Sequence, residues 1–392
     1  IVKLVNRFCI LFLLLFGSSA FSQNDSLWIL FSQSGNGILQ SCHCPNSPWG
    51  GVAKRAELFT QIRSQVGAHR VLTLESGDWF PPTPEPDLQN ALLGIYAAMN
   101  YDAVAIGEQE IEFGQVALAD KIPPFPWLSG GYRIQTGPRR HQFLAPPWRI
   151  FERAGHRVGV ISIVGENAFR YSTQHLATVS LVPPRAVIDL FMGQYATNVD
   201  LVILLSHQGL DEDRALAANL QGVDLIIGGH SQSLVVPPEL VNGIVICQAG
   251  KNGENLGLLT LAPQSPVGEP TSNPHAPMDD PFRATQVRGH RWMVRQKLIP
   301  LNTQVDEAST VAGLIEEFRN IGDRRLAALQ ADRQPSTQAV ATLQLLNPIQ
   351  ILELPWGTTQ TCEVAIRNLG NAPLEISQDR PGAAVAADLG AL

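Results

Sequence analysis

Two carboxylates in the sequence follow short apolar runs that predict buried strands. The run 71–74 precedes Asp78, the run 103–106 precedes Glu108, and a glycine stands directly before each carboxylate. Side chains at the carboxyl ends of neighbouring parallel strands share one edge of an α/β sheet. The spacing therefore predicts a pair of acidic groups placed to bind a cation.

Two histidines continue the same pattern further along the chain. The run 201–205 leads to His207, and the run 225–227 leads through two glycines to His230. A lone histidine or aspartate after a strand is usually a turn residue satisfied by its own neighbours, but two carboxylates and two imidazoles in equivalent places indicate a metal site. Ligands of this mixture suit zinc, manganese or iron.

Length and composition restrict the class of protein. A chain of 392 residues with 45% hydrophobic residues is long enough for one large core and a smaller module. The net charge is -7, and no run of lysines and arginines of the kind that follows a phosphate backbone occurs. We therefore expect a small-molecule substrate and no nucleic-acid polymer as a partner.

Residues 1–23 have the pattern of a secretory signal peptide. Lys3 and Arg7 precede the apolar run 8–16, and the small residues 17–20 provide a cleavage site. The apolar run is far shorter than the roughly 20 residues that span a bilayer. We expect a periplasmic or secreted protein with no membrane span after cleavage.

The rest of the chain alternates segments that favour strands with segments that favour helices. The predicted strands are 27–31, 70–74, 158–164, 201–206, 223–227, 244–248 and 291–301, and the predicted helices are 51–66, 87–99 and 305–329. A segment rich in Pro, Ser, Gly and Asn, 263–281, predicts a loop. This alternation is typical of a layered α/β domain.

Six short motifs follow the order and spacing of one known family. They are WILFSQS at 28–34, GGVAKR at 50–55, SGD at 76–78, YDAVAIG at 101–107, SHQGLDED at 206–213 and IGGHS at 227–231. In these motifs the chain resembles the calcineurin-like metallophosphoesterases, and within them the exported 5'-nucleotidase and UDP-sugar hydrolase branch. The resemblance implies a four-layer α/β/β/α sandwich with a dinuclear metal site, which we assign to residues 27–304.

The chain departs from the family at the ligands of one of the two metals. The family's first strand ends in Asp-x-His, where this sequence has Ser34 and Asn36, and Gln232 replaces the last histidine of the family's Gly-His-x-His. Of the ligands that the resemblance assigns to this metal, Asp78 alone is kept. The resemblance thus implies a degenerate dinuclear site.

The ligand positions of the other metal are all occupied by ligating residues. The resemblance assigns them to Asp78, Glu108, His207 and His230, with Glu108 replacing a neutral asparagine. The added carboxylate partly compensates the charge lost at Ser34. Because the retained ligands all belong to one metal, the pattern favours a redesigned site that binds one divalent ion, zinc, manganese or iron, over random decay.

Gln109 occupies the position of the family's catalytic histidine. That imidazole is thought to protonate the leaving group, and glutamine has no titratable proton. We therefore take Gln109 as a catalytic position whose change predicts slow or absent ordinary nucleotidase turnover. The candidate substrate-binding residues are Asn36, Ser231 and Gln232, whose polar side chains would hold a water or a substrate oxygen.

A second chemical motif is Cys42-His43-Cys44, in the loop after the first strand. Two thiols and an imidazole so close together would bind a soft metal, form a strained disulfide or attack a sulfur or carbonyl group, so Cys42 and Cys44 are also candidate catalytic residues. The motif resembles a Cys-x-Cys in a branch of exported 5'-nucleotidase-like proteins, some of them selenoproteins. The alternative is a structural disulfide with Cys247 or Cys362.

The C-terminal part of the chain predicts a different kind of module. Residues 305–334 predict a helix and a linker, and residues 335–392 alternate apolar and polar residues in short strands separated by turns. The segment NLGNAPL at 368–374 resembles the signature of immunoglobulin-like β-sandwich modules in exported bacterial proteins. We expect a partial, truncated module of this kind that could contact a protein partner. It is too short for the base-binding domain of nucleotidases, which argues against nucleotide substrates.

Three classes of function follow from these features. The first is an exported hydrolase with one metal that acts on a phosphoester or a related ester. The second is a thiol-redox or metal-handling protein that uses Cys42 and Cys44. The third is a non-catalytic binding protein on the same scaffold.

Overall fold

A computed structural model describes residues 26–41, 49–83, 85–111, 125–169, 178–264, 282–287, 290–332, 343–345 and 366–368. The chain divides into one compact unit of residues 1–319 and a second of residues 320–392. The predicted signal peptide and both residues of the Cys42/Cys44 pair lie outside the described residues.

The first unit contains fifteen described strands in two larger sheets and one small one. The strands are β1 (Leu27–Ser32), β2 (Val71–Glu75), β3 (Ala103–Ala105), β4 (Trp127–Leu128), β5 (Tyr132–Ile134), β6 (Trp148–Arg153), β7 (His156–Val164), β8 (Val179–Leu181), β9 (Leu201–His207), β10 (Leu225–Gly228), β11 (Glu239–Val241), β12 (Ile244–Cys247), β13 (Asn255–Gln264), β14 (Phe282–Val287) and β15 (His290–Pro300). The helices are α1 (Val52–Val66), α2 (Pro86–Ala98), α3 (Pro184–Tyr195), α4 (Leu210–Ala218) and α5 (Ser309–Asp332), the last of which begins in the first unit.

The first sheet has seven strands in the order β14-β15-β13-β1-β2-β3-β4. Strands β1 to β4 are parallel to one another, whereas β13 pairs antiparallel with β1 and with β15. The second sheet has six strands in the order β11-β12-β10-β9-β7-β6, of which β12, β10, β9 and β7 are parallel. Strands β5 and β8 form a separate antiparallel pair.

The apolar runs of the central strands are explained by burial on both faces. In β1, Ile29 and Phe31 pack between the two sheets, whereas Leu30 faces the layer of α1 and α2. In β9, Ile203 lies between the sheets, and Leu204 faces the layer that contains α3. The order of layers is therefore helix, sheet, sheet, helix, and the four-layer α/β/β/α architecture predicted from the sequence is confirmed for the first unit.

Helix boundaries follow local signals. Pro86 and Pro184 occupy the first turns of α2 and α3, where a missing backbone N–H costs nothing. Three acidic residues in the first turn of α4, at positions 211–213, interact favourably with the helix dipole. The first helix begins directly after Gly51, whose φ of 114° a glycine adopts without strain.

Several sequence expectations need correction. The predicted helix 305–329 is observed at Ser309–Asp332, and the first two residues of the predicted loop 263–281 belong to β13, which continues to Gln264. Residues 265–281 lie outside the described residues. The sequence analysis also missed the strands β6, β13 and β14, the helices α3 and α4, and the short strands β4, β5, β8 and β11.

The alternative disulfide pairing through Cys247 is not supported. Cys247 is a free cysteine with 0% exposure, and it lies in the core between the two sheets. Its Sγ donates to the carbonyl of Ile226 at 3.6 Å, and burial raises the pKa of the thiol, so it is neutral and unreactive.

In the second unit the structure describes one pair of short antiparallel strands, β16 (Leu343–Leu345) and β17 (Ile366–Asn368). The other residues of 335–392 lie outside the description, so the β-sandwich module and the domain boundaries stay predictions. Within the described part of the chain, none of the helices combines the length and apolar character needed to cross a bilayer.

Candidate metal centre

The four residues singled out by their strand-end positions come together at one place. Asp78 and Glu108 follow β2 and β3 of the first sheet, and His207 and His230 lie at the ends of β9 and β10 of the second. One ligand atom from each residue lies within 4.8 Å of all the others. The centre is therefore built across the carboxyl ends of both sheets.

His207 stands between the two carboxylates. Its Nε2 is 2.8 Å from Glu108 Oε2 and 3.2 Å from Asp78 Oδ2. The second histidine approaches from the other side, with His230 Nδ1 at 3.0 Å from Glu108 Oε1. Asp78 and His207 are buried, whereas Glu108 and His230 are partly accessible, so the centre has a closed side and an open side.

The orientation of the His207 ring is fixed by a contact outside the cluster. Its Nδ1 lies 2.7 Å from the backbone carbonyl oxygen of Ser76, which can only accept a hydrogen bond. Nδ1 therefore carries the proton, and in the neutral ring Nε2 presents its lone pair to the carboxylates. This is the tautomer that a metal ligand needs.

The cluster stabilises positive charge at its centre. Burial lowers the pKa of His207, but the adjacent carboxylates outweigh burial and raise it well above its ordinary value. Burial raises the pKa of Glu108, but the two imidazoles outweigh that effect and hold it below its ordinary value. Burial and the neighbouring Glu108 raise the pKa of Asp78 to about 6. A cation between these groups would replace the imidazolium charge.

Two buried atoms face one another at the centre. They are His207 Nε2 and Glu108 Oε2, which lie 2.8 Å apart and pair when the imidazole is protonated. A divalent ion bound by both atoms would replace that proton. Because one nitrogen and one oxygen converge with a second carboxylate and a second imidazole, the donor set fits a divalent ion of the zinc, manganese or iron kind.

Glycines allow the ligand-bearing turns to approach closely. A methyl group on Gly107 would lie 2.4 Å from Asp78 Oδ1 and 2.9 Å from His207 Nε2. A methyl group on Gly77 would lie 2.7 Å from His207 Nδ1, and Gly77 has a φ of 100°. The glycine before each carboxylate in the sequence is therefore required by the space between the ligands.

Glu110 ties together the two turns that carry the acidic ligands. Its Oε1 accepts the backbone N–H groups of Trp79 and Phe80 at 2.9 and 3.0 Å. Its Oε2 accepts those of Gly107 and Asp78 at 2.7 and 3.1 Å. Burial and the neighbouring Asp78 raise the pKa of Glu110, and the N–H donors of Phe80 and Gly107 oppose that rise. The sequence analysis did not predict a role for Glu110.

Asp213 holds the residues on both sides of His207. Its Oδ1 accepts the hydroxyl of Ser206 at 2.5 Å and the side-chain N–H of Gln208 at 2.9 Å. Its Oδ2 is buried and makes no hydrogen bond. Asp213 thus fixes the end of β9 from the first turn of α4, and its acidic side chain in the SHQGLDED motif was the signal that could have identified it.

Asp213 gives a pH prediction for stability. Burial raises its pKa to about 7, from an ordinary value of 3.8, so between these values the folded state holds a proton that the unfolded state has lost. The stabilisation that this proton gives the folded state is complete below the ordinary pKa of 3.8. It is lost as the pH rises through the folded-state pKa of about 7. The Asp213→Asn variant has no carboxyl group to lose this proton. Its free energy of unfolding relative to the wild type should therefore rise by up to about 4 kcal/mol as the pH goes from acidic to mildly alkaline.

Urea unfolding at several pH values with chelator present measures this difference. Asp211→Asn is the matched control, because Asp211 lies in the same helical turn with 88% of its side chain exposed. A pH profile for Asp213→Asn that ran parallel to the wild type would contradict the assignment.

The other predicted site residues fall in different surroundings. Asn36 and Gln109 lie beside Asp78, and Gln109 Nε2 donates to Asn36 Oδ1 at 3.1 Å. The Ser231 hydroxyl donates to Gln248 Oε1 at 3.0 Å and accepts the N–H of Leu210 at 3.1 Å, so it stabilises the turn. Gln232 is half-buried two residues after His230.

The backbone around the centre is unusual. The structure describes ten non-glycine residues with positive φ, and six of them lie in the turns around the ligands. They are Ser34 (45°), Asn36 (50°), Asp78 (58°), His230 (66°), Gln232 (54°) and Asn252 (56°). Side chains in this conformation cost energy unless the surroundings hold them there, and such residues cluster at functional sites.

The fold defines a structural class. The two-sheet sandwich matches the fold of solved 5'-nucleotidases and calcineurin-like phosphoesterases, as the sequence motifs implied. No protein-family model matches the sequence.

Comparison with individual proteins agrees with this class. The chain is 27% identical to the trifunctional nucleotide phosphoesterase YfkN of Bacillus subtilis over 250 residues, which is 54% of this chain and 17% of that protein. It is 24% identical to the 5'-nucleotidase of Mus musculus over 347 residues, 82% of this chain and 53% of that protein. The crystal structure of a 5'-nucleotidase precursor from Thermus thermophilus superposes with a TM-score of 0.62 at 22% identity, covering 76% of this chain and 59% of that one.

These matches support the calcineurin-like phosphoesterase and 5'-nucleotidase family by sequence and by fold. The chain spans about half the length of the mouse enzyme and a smaller share of the Bacillus protein. The narrower Cys-x-Cys subgroup is not tested by these relatives.

Proposed function

We propose that the chain is an exported, metal-dependent phosphoester hydrolase of the 5'-nucleotidase type. It would bind one divalent ion through Asp78, Glu108, His207 and His230. The observation that carries the proposal is the convergence of these four side chains, in which the buried atoms His207 Nε2 and Glu108 Oε2 lie 2.8 Å apart.

A bound divalent ion would polarise a phosphoryl oxygen and lower the pKa of a coordinated water. The residues of the chain provide the rest of the arrangement. His207 is held in the ligating tautomer by Ser76, and Glu110 and Asp213 fix the turns that carry the ligands. Asn36 and Gln109 line the space next to Asp78.

The neutral side chains beside the centre support a single ion. Ser34 and Asn36 stand where the resemblance places an aspartate and a histidine, and neither offers a carboxylate or an imidazole. Gln109 has no titratable proton, so it cannot act as a general acid toward a leaving group. We therefore expect the enzyme to favour esters whose leaving group departs without protonation.

The proposals for substrate and location rest on the named relatives and on the first residues of the chain. The relatives are named as nucleotide phosphoesterases and 5'-nucleotidases, so a small phosphorylated molecule is the substrate that we propose. The pattern of residues 1–23 supports export to the periplasm or the medium. No described contact favours the redox or the binding-protein alternative.

Metal content tests the proposal directly. Elemental analysis of the purified protein is expected to give about one ion per chain, because one complete ligand set is present. Glu108→Ala and His207→Ala are expected to abolish binding, and Gln232→Ala is the control that should keep it. Two ions per chain, or none, would defeat the assignment.

The same samples separate the hydrolase from the thiol alternative. Blocking the free thiols should leave the metal content unchanged, because the four ligands include no sulfur. Loss of the ion together with the thiols would move the chemistry to Cys42 and Cys44.

A further inference from the structure

Three carboxamide side chains form a hydrogen-bonded chain beside the metal ligands. Gln109 Nε2 donates to Asn36 Oδ1 at 3.1 Å, and Asn36 Nδ2 donates to Asn252 Oδ1 at 2.9 Å. Each carboxamide nitrogen carries two hydrogens, so this carboxamide chain uses one N–H of Gln109 and one N–H of Asn36. The second N–H of each of these two nitrogens makes no other hydrogen bond among the described residues.

This carboxamide chain is joined to the ligand Asp78 at two points. The backbone N–H of Gln109 donates to Asp78 Oδ1 at 3.2 Å, and the backbone N–H of Asn36 donates to the Asp78 carbonyl at 2.9 Å. Asn252 is anchored through its own N–H, which donates to the carbonyl of Ser34 at 2.8 Å. The three carboxamides are thus fixed relative to the metal centre.

Two buried atoms next to this chain make no hydrogen bond. They are Gln109 Oε1, in a side chain that is 8% exposed, and Ser34 Oγ, which is 0% exposed. Asn36 and Asn252 also adopt left-handed backbone conformations, which asparagine tolerates better than most residues. Of the two, the Ser34 hydroxyl can donate to an anion, whereas Gln109 Oε1 can only accept a hydrogen bond, from a water or a ligand hydroxyl. Unsatisfied polar atoms and strained backbone at the same place indicate a binding site.

The charge of this site limits what it can bind. Two carboxylate ligands neutralise a divalent ion, and the three carboxamides add no charge. The buried cation Arg55, beside Gly253, is 3.7 Å from Glu75, which offsets its charge. Lys251 is exposed, so solvent screens it. A ligand with two negative charges would therefore lack a partner for the second charge.

We propose that the carboxamide chain is the anion-binding wall of the active site and selects tetrahedral esters with a single negative charge. These are phosphodiesters or sulfur oxyesters, which share one charge and several acceptor oxygens, and they are preferred over phosphomonoester dianions. Neutral N–H donors bind acceptor oxygens without supplying positive charge. They therefore suit a ligand with one negative charge better than a ligand with two. This inference rests on the proposed metal site.

Two inert ligands test the charge preference. Phenylphosphonate is a dianion at mildly alkaline pH, and methyl(phenyl)phosphinate is a monoanion in which a methyl group replaces one oxygen. Calorimetry with the metal-loaded full chain is expected to show the phosphinate binding about tenfold more tightly. Equal affinities, a tighter phosphonate, or no binding of either compound would overturn the proposal.

An isosteric variant tests the carboxamides themselves. Gln109→Glu adds a negative charge to the carboxamide chain. It is expected to weaken phosphinate binding about tenfold with the metal content unchanged. Asn198→Asp is the matched control, because Asn198 is exposed and precedes β9 at the end opposite His207. If the two variants bind the phosphinate equally well, the carboxamides are not the binding wall.

Turnover of chromogenic esters separates the sources of the monoanion. Bis(4-nitrophenyl) phosphate represents phosphodiesters, 4-nitrophenyl sulfate represents sulfur oxyesters, and 4-nitrophenyl phosphate is the dianionic reference. We expect one of the first two to exceed the reference in kcat/KM. If the ion binds and the dianions are preferred, only the carboxamide proposal fails, whereas absence of the ion removes the proposed function as well.

Discussion

Replacing Glu110 by alanine is expected to lower the free energy of unfolding by about 4 kcal/mol or more, because four buried N–H donors lose their acceptor at once. The donors belong to two turns that are far apart in sequence, so no local rearrangement can satisfy them all. Urea unfolding in the presence of a chelator measures the effect without any contribution from bound metal.

Two further variants define the interpretation of the Glu110 result. Glu110→Gln keeps one acceptor oxygen and turns an amide group toward two of the donors, so we expect a loss of about 2 kcal/mol. Glu307→Ala removes an exposed carboxylate and should change stability by less than about 0.5 kcal/mol. If Glu110→Ala were as stable as Glu307→Ala, the anchoring role would be wrong.

Adding one methyl group at Gly107 is expected to reduce metal affinity at least about a hundredfold, because it would displace the side chain of Asp78. The added carbon would stand 2.4 Å from Asp78 Oδ1 and 2.9 Å from the Asp78 backbone nitrogen. Isothermal titration with zinc or manganese gives the affinity, and circular dichroism reports whether the fold is retained.

Gly94→Ala is the matched control for this substitution. Gly94 lies inside α2, and a methyl group there would meet no atom within 4 Å. The variant should keep its metal affinity and gain about 0.5–1 kcal/mol of stability, since alanine is the better helix former. Unchanged metal affinity in Gly107→Ala would show that the turn can open without disturbing the ligands.

The four clustered ligands could be found from the sequence because each follows an apolar run that ends at a fixed place. Strands buried on both faces are continuous apolar segments, and parallel strands present their carboxyl ends on one edge. The runs before Asp78 and His207 therefore gave both the strand and the direction of its end. The alternation indicated a layered α/β domain, and the four-layer order was implied by the motif resemblance.

The residues that support the ligands could not be found in this way. Glu110 acts through backbone groups of Asp78, Trp79 and Phe80, up to 32 positions away, and such contacts leave no periodic signal. The carboxamide chain joins Asn36 to Asn252 across 216 positions. Hydrogen bonds between distant turns depend on how the sheets dock, which pattern and propensity do not encode.

The short elements were missed for a different reason. Strand β4 has two residues and β5, β8 and β11 have three each, which is too few to show an alternating pattern. Strand β13 contains glycine and proline among its ten residues, and both are rare in strand interiors. Its pairing with β1 and β15 overrides that local preference.

The metal ligands come from both sheets, and 122 positions separate Glu108 from His230. During synthesis the two carboxylates emerge long before the strand that delivers the last imidazole, so the growing chain has only half of the donor set. The complete set forms only after the second sheet has docked on the first. With the export proposed above, the ion would be selected by the metals available where the finished chain folds, and not by those where it is translated.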